Sequence, residues 1–376
     1  MDIVFYTPFK PLSHPDPSGD AVTAAGIRDF LAARGHRLLP ASDLRCRWIF
    51  WKPWLWPRAA AECRRLIRRL RGAPPDLWFS YHSYYKAPDI LGPGVAGALA
   101  VPYVLFQGIY STRRRRSLRT LPGYLLNRRA LRAARQVFTN KRVDWINLRR
   151  LLPEGRITYI APGIRVRDFS FRPAERARLR RAWEAGDAPV VLAVAMCRRG
   201  VKAEGLARVI RACGALRRRG VPLQLVIAGD GPERRRLERL AAVEAPGAAR
   251  FLGRVPREEL PACYSAADLF AFPGIREALG LVYLEAQACG LPVVAFDNAG
   301  TPEAVRHGET GILVPFGDDA AFARAIEQLL QDAALRRRLG RNAAAWVREE
   351  RDLEKNYRRM EEVLRAVAGG APRGAA

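Results

Sequence analysis

The chain has 376 residues, 49% of them hydrophobic, and a formal net charge of +27. That length exceeds one small core and fits two domains, and the apolar content excludes a disordered chain. No apolar run reaches the roughly 20 residues a membrane-spanning helix needs, and MDIVFYTPF has no basic leader before a long apolar block, so a folded cytoplasmic protein is expected. Cysteines 46, 63, 197, 213, 263 and 289 form no CxxC pair and have few histidines near them, which predicts reduced, buried thiols and neither a disulfide nor a zinc site. No metal-ligating constellation is present, so neither a metal nor another cofactor is expected. The positive charge points to a polyanionic partner, against the competing reading of merely solvated arginines.

In chain order, IVFY (3–6) predicts a strand, followed by a loop rich in Pro, Ser, His and Gly. AVTAAGIRDFLAARGH then predicts a helix ended by Gly35. DLWFSYH (76–82), VPYVLFQ (101–107) and RQVFTN (135–140) follow as strands, with a Gly/Pro-broken helix after the first. The pattern restarts with APVVLAVAM (188–196) as a strand, GLARVIRACGALRRRG (205–220) as a helix and LQLVIAGDG (223–231) as a strand ending in a glycine turn. The alternation continues through RFLGRV, LPACYSAAD, LFAFP, LEAQACG and PVVAFD to residue 297. Apolar strands alternating with helices imply parallel sheets covered on both faces. ERARLRRAWEAGDAP is charged and loosely patterned and sets a boundary near 165–187. The division expected is 1–170, 171–345, and a tail 346–376 whose charged helix, from about 341 to 367, packs back on the first domain.

In open parallel sheets ligands bind beyond the carboxyl ends of the strands, facing helix amino termini. LFAFP ends a strand at Pro273, and EALGLVYLE (277–285) carries the chain into the next helix, which should begin near Gly280. Amides around 279–282 would then face a ligand, with a helix dipole that favours phosphate. Glu277 lies before that start and Glu285 about one and a half turns inside it. Two carboxylates so placed can each accept from hydroxyls, although a capping Glu277 and a surface Glu285 would look the same by spacing alone.

VAMCRRGVKAEGL, LVIAGDGPERRRL, RFLGRVPREELPACYSAADLFAFP, REALGLVYLEAQACGLPVVAFDNAGTPEAV and HGETGILVP together resemble the retaining GT-B glycosyltransferases of family 4. The likeness covers nearly the whole chain. It implies an α/β GT-B fold, two Rossmann-like domains facing across a cleft. Glu277 and Glu285 fit that family's E-x7-E motif. By this resemblance Glu277 contacts the donor sugar, Leu279, Gly280 and Leu281 present amides to the sugar and diphosphate, and Glu285 accepts from the ribose. Arg198 and Lys202 match the cations that neutralise the diphosphate, with Arg199 as the alternative to Arg198. Gly229, Arg254 and Val255 fall in the nucleotide pocket, and Gly19 in PSGD matches the loop that approaches the diphosphate. Fixed cations and amides aimed at a departing diphosphate stabilise it without a metal.

The family's strand-end histidine is replaced: VPYVLFQGIYS puts Gln107 there, a residue that cannot titrate near neutrality. His82 is the nearby alternative. Finally, RCRWIFWKPWLWPRAAAECRRLIRRLRG (45–72) holds four of the eight tryptophans among basic residues, and STRRRRSLRT (111–120) adds a second basic cluster. Trp favours places where one side is apolar and the other wet, and the helix carrying Leu66, Ile67 and Leu70 among arginines has basic amphipathic character. No RNP, KH or helix-turn-helix pattern accompanies them, so nucleic acid is not expected.

The expected function is transfer of a sugar from a nucleoside-diphosphate sugar to an acceptor hydroxyl, with retention, in synthesis of cell-envelope glycan, lipopolysaccharide or glycolipid. The partners expected are that donor, an anionic or lipid-linked glycan acceptor, and the inner face of the cell membrane by peripheral contact. The rival readings are a nucleotide-sugar epimerase and a degenerate, non-catalytic glycan- or membrane-binding protein.

Overall fold

The computed structural model describes residues 1–11, 19–277 and 279–370, with backbone alone at 19, 20 and 22. The chain divides into two compact units, Met1–Ala161 with Asn356–Ala376, and Pro162–Lys355. Among the described residues no helix is long and apolar enough to cross a membrane.

The first unit runs β1 (Asp2–Tyr6), α1 (Gly19–Ala33), β2 (Arg37–Pro40), α2 (Leu55–Arg71), β3 (Leu77–Ser83), α3 (Gly92–Ala98), β4 (Tyr103–Gly108), α4 (Leu121–Ala133), β5 (Gln136–Thr139), α5 (Arg142–Leu148) and β6 (Ile157–Tyr159). Its six strands are parallel, in the order β2-β1-β3-β4-β5-β6. Helices cover both faces, so β3 is buried at every position and its sequence cannot alternate. One face carries an aromatic ladder across four strands: Phe5–Phe79 at 5.3 Å, Phe79–Phe106 at 6.5 Å and Phe106–Phe138 at 6.2 Å between ring centroids. Each such pair adds roughly 0.5–1.5 kcal/mol beyond its buried area. The other face packs Val4, Trp78 and Leu105 in a core that includes Leu66 and Leu70 of α2. That contact corrects the sequence reading of α2. Its Leu66–Ile67–Leu70 stripe covers the sheet, so that stripe is not free to lie on a bilayer.

The second unit opens with α6 (Pro173–Ala182), where the sequence showed only a loose, charged boundary. The arginines explain its order: Arg176 donates to the carbonyls of Ser265 and Ala267 and pairs with Asp268 at 2.7 Å, and Arg180 pairs with the same carboxylate at 2.9 Å. Burial alone would raise the Asp268 pKa, but the Val190 N–H and Arg176 hold it below its usual value. Then follow β7 (Val190–Val194), α7 (Val201–Arg218), β8 (Gln224–Ala228), α8 (Arg234–Glu244), β9 (Ala249–Gly253), α9 (Leu260–Ala266), β10 (Leu269–Ala271), α10 (Leu281–Ala288), β11 (Val293–Asp297), α11 (Thr301–Ala304), β12 (Gly311–Pro315), α12 (Asp319–Gln331), α13 (Ala333–Glu350) and α14 (Leu353–Gly369). The parallel sheet has the order β12-β11-β10-β7-β8-β9.

One helix was expected from about 341 to 367, and two are found. The break falls at Arg351–Asp352, because Arg351 and Leu353 exchange backbone hydrogen bonds with Ile164 and the Asp352 carboxylate caps the next turn at Glu354 N. From Asn356 onward α14 belongs to the first unit. There Tyr357 meets Phe30 of α1 at 5.4 Å, and Glu361 receives Arg34 and His36, each at 3.0 Å, and Arg365 at 2.7 Å. All six cysteines are free, and burial pushes the thiols of Cys46, Cys213 and Cys289 up to about 12.

In each sheet the chain starts near the middle, moves outward one way, then returns to the other side of its first strand. The strand order therefore reverses between β1 and β3 in one unit and between β7 and β10 in the other. At such a point the two connections leave in opposite directions and open a crevice at the carboxyl ends.

Candidate functional site

The β7/β10 reversal brings together the residues that the sequence singled out. After β7 the chain passes Arg198 and Arg199 and bends at Gly200 (φ 88°) into α7, putting Lys202 in that helix's first turn. After β10 it passes Glu277 and bends again at Gly280 into α10. The Lys202 ammonium donates to Glu277 Oε2 and lies 5.2 Å from the centre of the Phe272 ring. Both partners are largely buried, at 26% and 18% side-chain exposure. Glu277 is held in place by its own backbone, its N–H donating to Gly274 O (3.0 Å) and its carbonyl accepting from Gly300 N (2.8 Å).

Gly280 has φ 62°, and a Cβ there would lie 2.7 Å from Ala304 Cβ and 2.8 Å from the Tyr283 ring. Only glycine fits both the left-handed turn and the space. No side chain caps α10; in its first turn Tyr283 N–H donates to Gly280 O at 2.9 Å, which leaves the N–H groups of Leu281 and Val282, beside Leu279, without a backbone partner among the described residues.

Glu285 is not a surface charge. It is 5% exposed, accepts from Tyr264 OH at 3.1 Å and pairs with Arg257 at 2.8 Å. Burial raises its pKa above the ordinary value, against the opposing pull of Arg257 and Tyr264. Arg257, stacked 5.2 Å from the Phe169 ring, is the contact the sequence did not reveal, since nothing local separates it from the other arginines of this chain.

The neighbouring strand ends complete the rim. Gly229 (φ 153°) follows β8, donates to Gly253 O at 2.8 Å, and leaves no room for a side chain: a Cβ would sit 1.9 Å from Ala195 O. Arg254 after β9 is exposed, and Val255 packs partly into the core. Arg198 is exposed; Arg199, 92% exposed, pairs with Glu233 at 3.3 Å.

In the first unit His82 and Gln107 end β3 and β4. The ladder pairs Tyr81 with Phe106 and Ser83 with Gly108 but skips the level between, where His82 (φ 69°) and Gln107 (φ 58°) both turn left-handed. Such paired backbone strain in non-glycine residues marks functional sites more often than cores. Gln107 Oε1 accepts from Tyr81 OH at 2.9 Å, and His82 stacks on Tyr84 at 4.8 Å with Phe9 edge-on at 5.3 Å. Gly19 is the first residue of α1, while Pro17 and Ser18 of PSGD lie outside the described residues. Among the described residues, no group of three or more His, Cys, Asp or Glu could hold a metal ion.

This arrangement combines a lysine, two carboxylates and an uncapped helix end at one topological reversal. Residues 177–346, which contain all of it, match the family of glycosyl transferases group 1. That match falls within the second unit. The chain is 36% identical over 220 residues to a GDP-mannose-dependent alpha-(1-6)-phosphatidylinositol monomannoside mannosyltransferase of Mycolicibacterium smegmatis, covering 56% of this chain and 57% of that one. It is 37% identical over 218 residues to a D-inositol 3-phosphate glycosyltransferase of Salinispora tropica, covering 53% and 45%. The chain thus spans about half the length of the curated relatives it matches. Among solved structures, sucrose-phosphate synthase from Thermosynechococcus elongatus matches with a TM-score of 0.72 at 22% identity, over 98% of this chain and 99% of that one. Anabaena HepE in complex with UDP matches with a TM-score of 0.75 at 19% identity, over 97% and 100%. At these identities the likeness establishes the fold, which is GT-B.

Proposed function

We propose that the protein is a retaining, family 4 glycosyltransferase that moves a sugar from a nucleoside-diphosphate sugar to an acceptor hydroxyl. The observation that carries the reading is the Lys202–Glu277 pair at the β7/β10 reversal, beside the uncapped start of α10. A donor diphosphate competes with Glu277 for the Lys202 ammonium, which frees the carboxylate to accept from a sugar hydroxyl. Lys202, with Arg198 or Arg199 and the amides at 279–281, then offsets the charge that grows on the departing diphosphate; one such donor is worth roughly 3–4 kcal/mol. Glu285 takes the ribose hydroxyls as Arg257 gives way, and Gly229, Arg254 and Val255 border the base.

On the acceptor side Gln107 and His82 bind and orient the nucleophilic hydroxyl. Because Gln107 cannot take a proton, the donor diphosphate itself serves as the base. The mannosyl and inositol-phosphate activities named for the relatives above support an anionic or lipid-linked acceptor and a role in envelope glycan or glycolipid synthesis.

The test is a thermal-shift panel of UDP-, GDP-, ADP- and TDP-sugars and the free nucleotides, followed by transfer assays with and without EDTA. A ligand that binds only the folded state raises its melting temperature. One nucleotide is expected to shift the melt, and EDTA is expected to leave the rate within about twofold, since fixed cations serve where a metal would. No shift with any donor would replace this reading with that of a non-catalytic glycan-binding protein.

A further inference from the structure

We propose that the aromatic and arginine-rich rim of the first unit docks on an anionic lipid bilayer. Its apolar part is exposed. Trp51, Trp54 and Trp56 are 52%, 67% and 39% exposed, and Leu118 and Leu125 are 84% and 50% exposed. The Trp51 indole N–H donates to Arg119 O at 3.1 Å, which ties the tryptophan segment to the one that carries Leu118 and leads into α4, where Leu125 stands. Clustered exposure of this kind marks an interaction surface, whereas scattered apolar residues do not.

The segment is also firmly anchored. Trp48 N donates to Lys86 O at 2.6 Å and Ile49 is fully buried. The Phe50 ring fills the space over Gly123, where a Cβ would meet it at 2.4 Å. The core thus holds one side of the segment and leaves three indoles outward.

The charge around it is unopposed. Arg113–Arg116 form a single exposed 3-10 turn, and Arg114 lies 4.4 Å from the centre of the Tyr85 ring. No Asp or Glu occurs between Asp89 and Asp144, nor between Asp43 and Glu62. Among the described residues none of Arg113–Arg116 forms an ion pair, whereas arginines elsewhere do, such as Arg178 with Glu175 and Arg218 with Glu244.

Indoles at the boundary between apolar and wet phases, aliphatic side chains beside them, and unopposed arginines fit an anionic headgroup layer. Single-stranded nucleic acid fits less well, because bases stack on aromatic faces and gain nothing from Leu118 and Leu125. Position adds a consequence that rests on the transferase reading. The Tyr84–Lys86 turn follows β3 and the arginine turn follows β4, the same strand ends that carry His82 and Gln107. A lipid-borne acceptor would be delivered to that end of the sheet.

The test is flotation of the full-length protein with phosphatidylcholine vesicles, with and without about 30% phosphatidylglycerol, in low and high salt. Wild type is expected to bind only the anionic vesicles, with a blue-shifted tryptophan emission that salt reverses. Each arginine near such a surface contributes about 1 kcal/mol, or roughly fivefold, so replacing Arg113–Arg116 by Ser should weaken partitioning by at least about 100-fold. Trp51→Ala with Trp54→Ala should weaken it by about 10-fold and reduce the blue shift. Equal binding by wild type and both variants, no binding by wild type, or tighter binding to single-stranded RNA than to vesicles would each overturn the proposal. The nucleotide-induced shift in melting is expected to be unchanged in both variants, so loss of vesicle binding is distinguishable from failure of the donor site.

Discussion

Two buried glutamates, one in each unit, are shifted in opposite directions. Glu361 on α14 is 3% exposed and held down to about 2. Burial opposes this, but Arg365, His36 and Arg34 outweigh it, and the two arginines, 54% and 51% exposed, keep their own solvent contact while covering it. Glu285 is 5% exposed, has one arginine and one tyrosine, and is shifted upward by burial. A carboxylate that fastens an element is given more partners than it needs. One left short of partners retains capacity for a ligand's hydroxyls. Lys202 and Glu277 are likewise sparsely partnered, each paired with the other, and in the proposed reaction a diphosphate and a sugar hydroxyl would compete for them.

The contrast breaks most visibly in the second unit. Lys202→Ala and Glu277→Ala are each expected to lower kcat/KM for transfer by about 100- to 1000-fold, corresponding to roughly 3–4 kcal/mol, with the circular dichroism spectrum unchanged. Full activity in either variant would remove the pair from the reaction. In the first unit, Glu361→Gln should destabilise the fold by about 1–2 kcal/mol at pH 7, a value reduced for the exposure of the two arginines. The sign follows from a lowered pKa: the contribution is present above the unfolded value near 4.5 and is lost as the pH falls through about 2. Thermal melts of wild type and variant should therefore converge between pH 4.5 and 2; a constant difference would mean that packing, not charge, fastens α14.

Glu285→Gln should do the reverse. A raised pKa means that ionised Glu285 lowers stability at neutral pH, so the variant should melt slightly higher at pH 7, by up to about 1 kcal/mol, with no gain near pH 4. The same change should weaken nucleotide binding by about 10-fold, because an amide oxygen accepts from ribose less strongly than a carboxylate. Isothermal calorimetry with the nucleotide found in the panel would measure this. A variant that is both less stable and unaltered in binding would class Glu285 with Glu361.

Much of this protein follows from local sequence. Buried parallel strands need unbroken apolar runs, which made β1, β3, β4, β7, β8 and β11 readable, and Gly280 marks where a chain leaving a strand must turn left-handed into a helix. The Glu277–Glu285 spacing was readable for the same reason: both belong to one strand–turn–helix unit whose geometry short-range rules control. The tertiary structure decided which charges meet. Lys202 and Glu277 lie 75 residues apart, and only the order β10-β7 makes their loops neighbours. Arg257 could not be distinguished in sequence from the other basic residues that could reach Glu285. The apolar stripe of α2 is the same on paper whether it meets a bilayer or a sheet, and Val4, Trp78 and Leu105 settle that it covers the sheet. The α13–α14 break was hidden because REERDLEK has good helix formers throughout, and only the backbone of Ile164 makes stopping at Arg351 favourable. Sequence determines what each segment can become on its own. Long-range pairing, which depends on strand order and burial, determines what it becomes here.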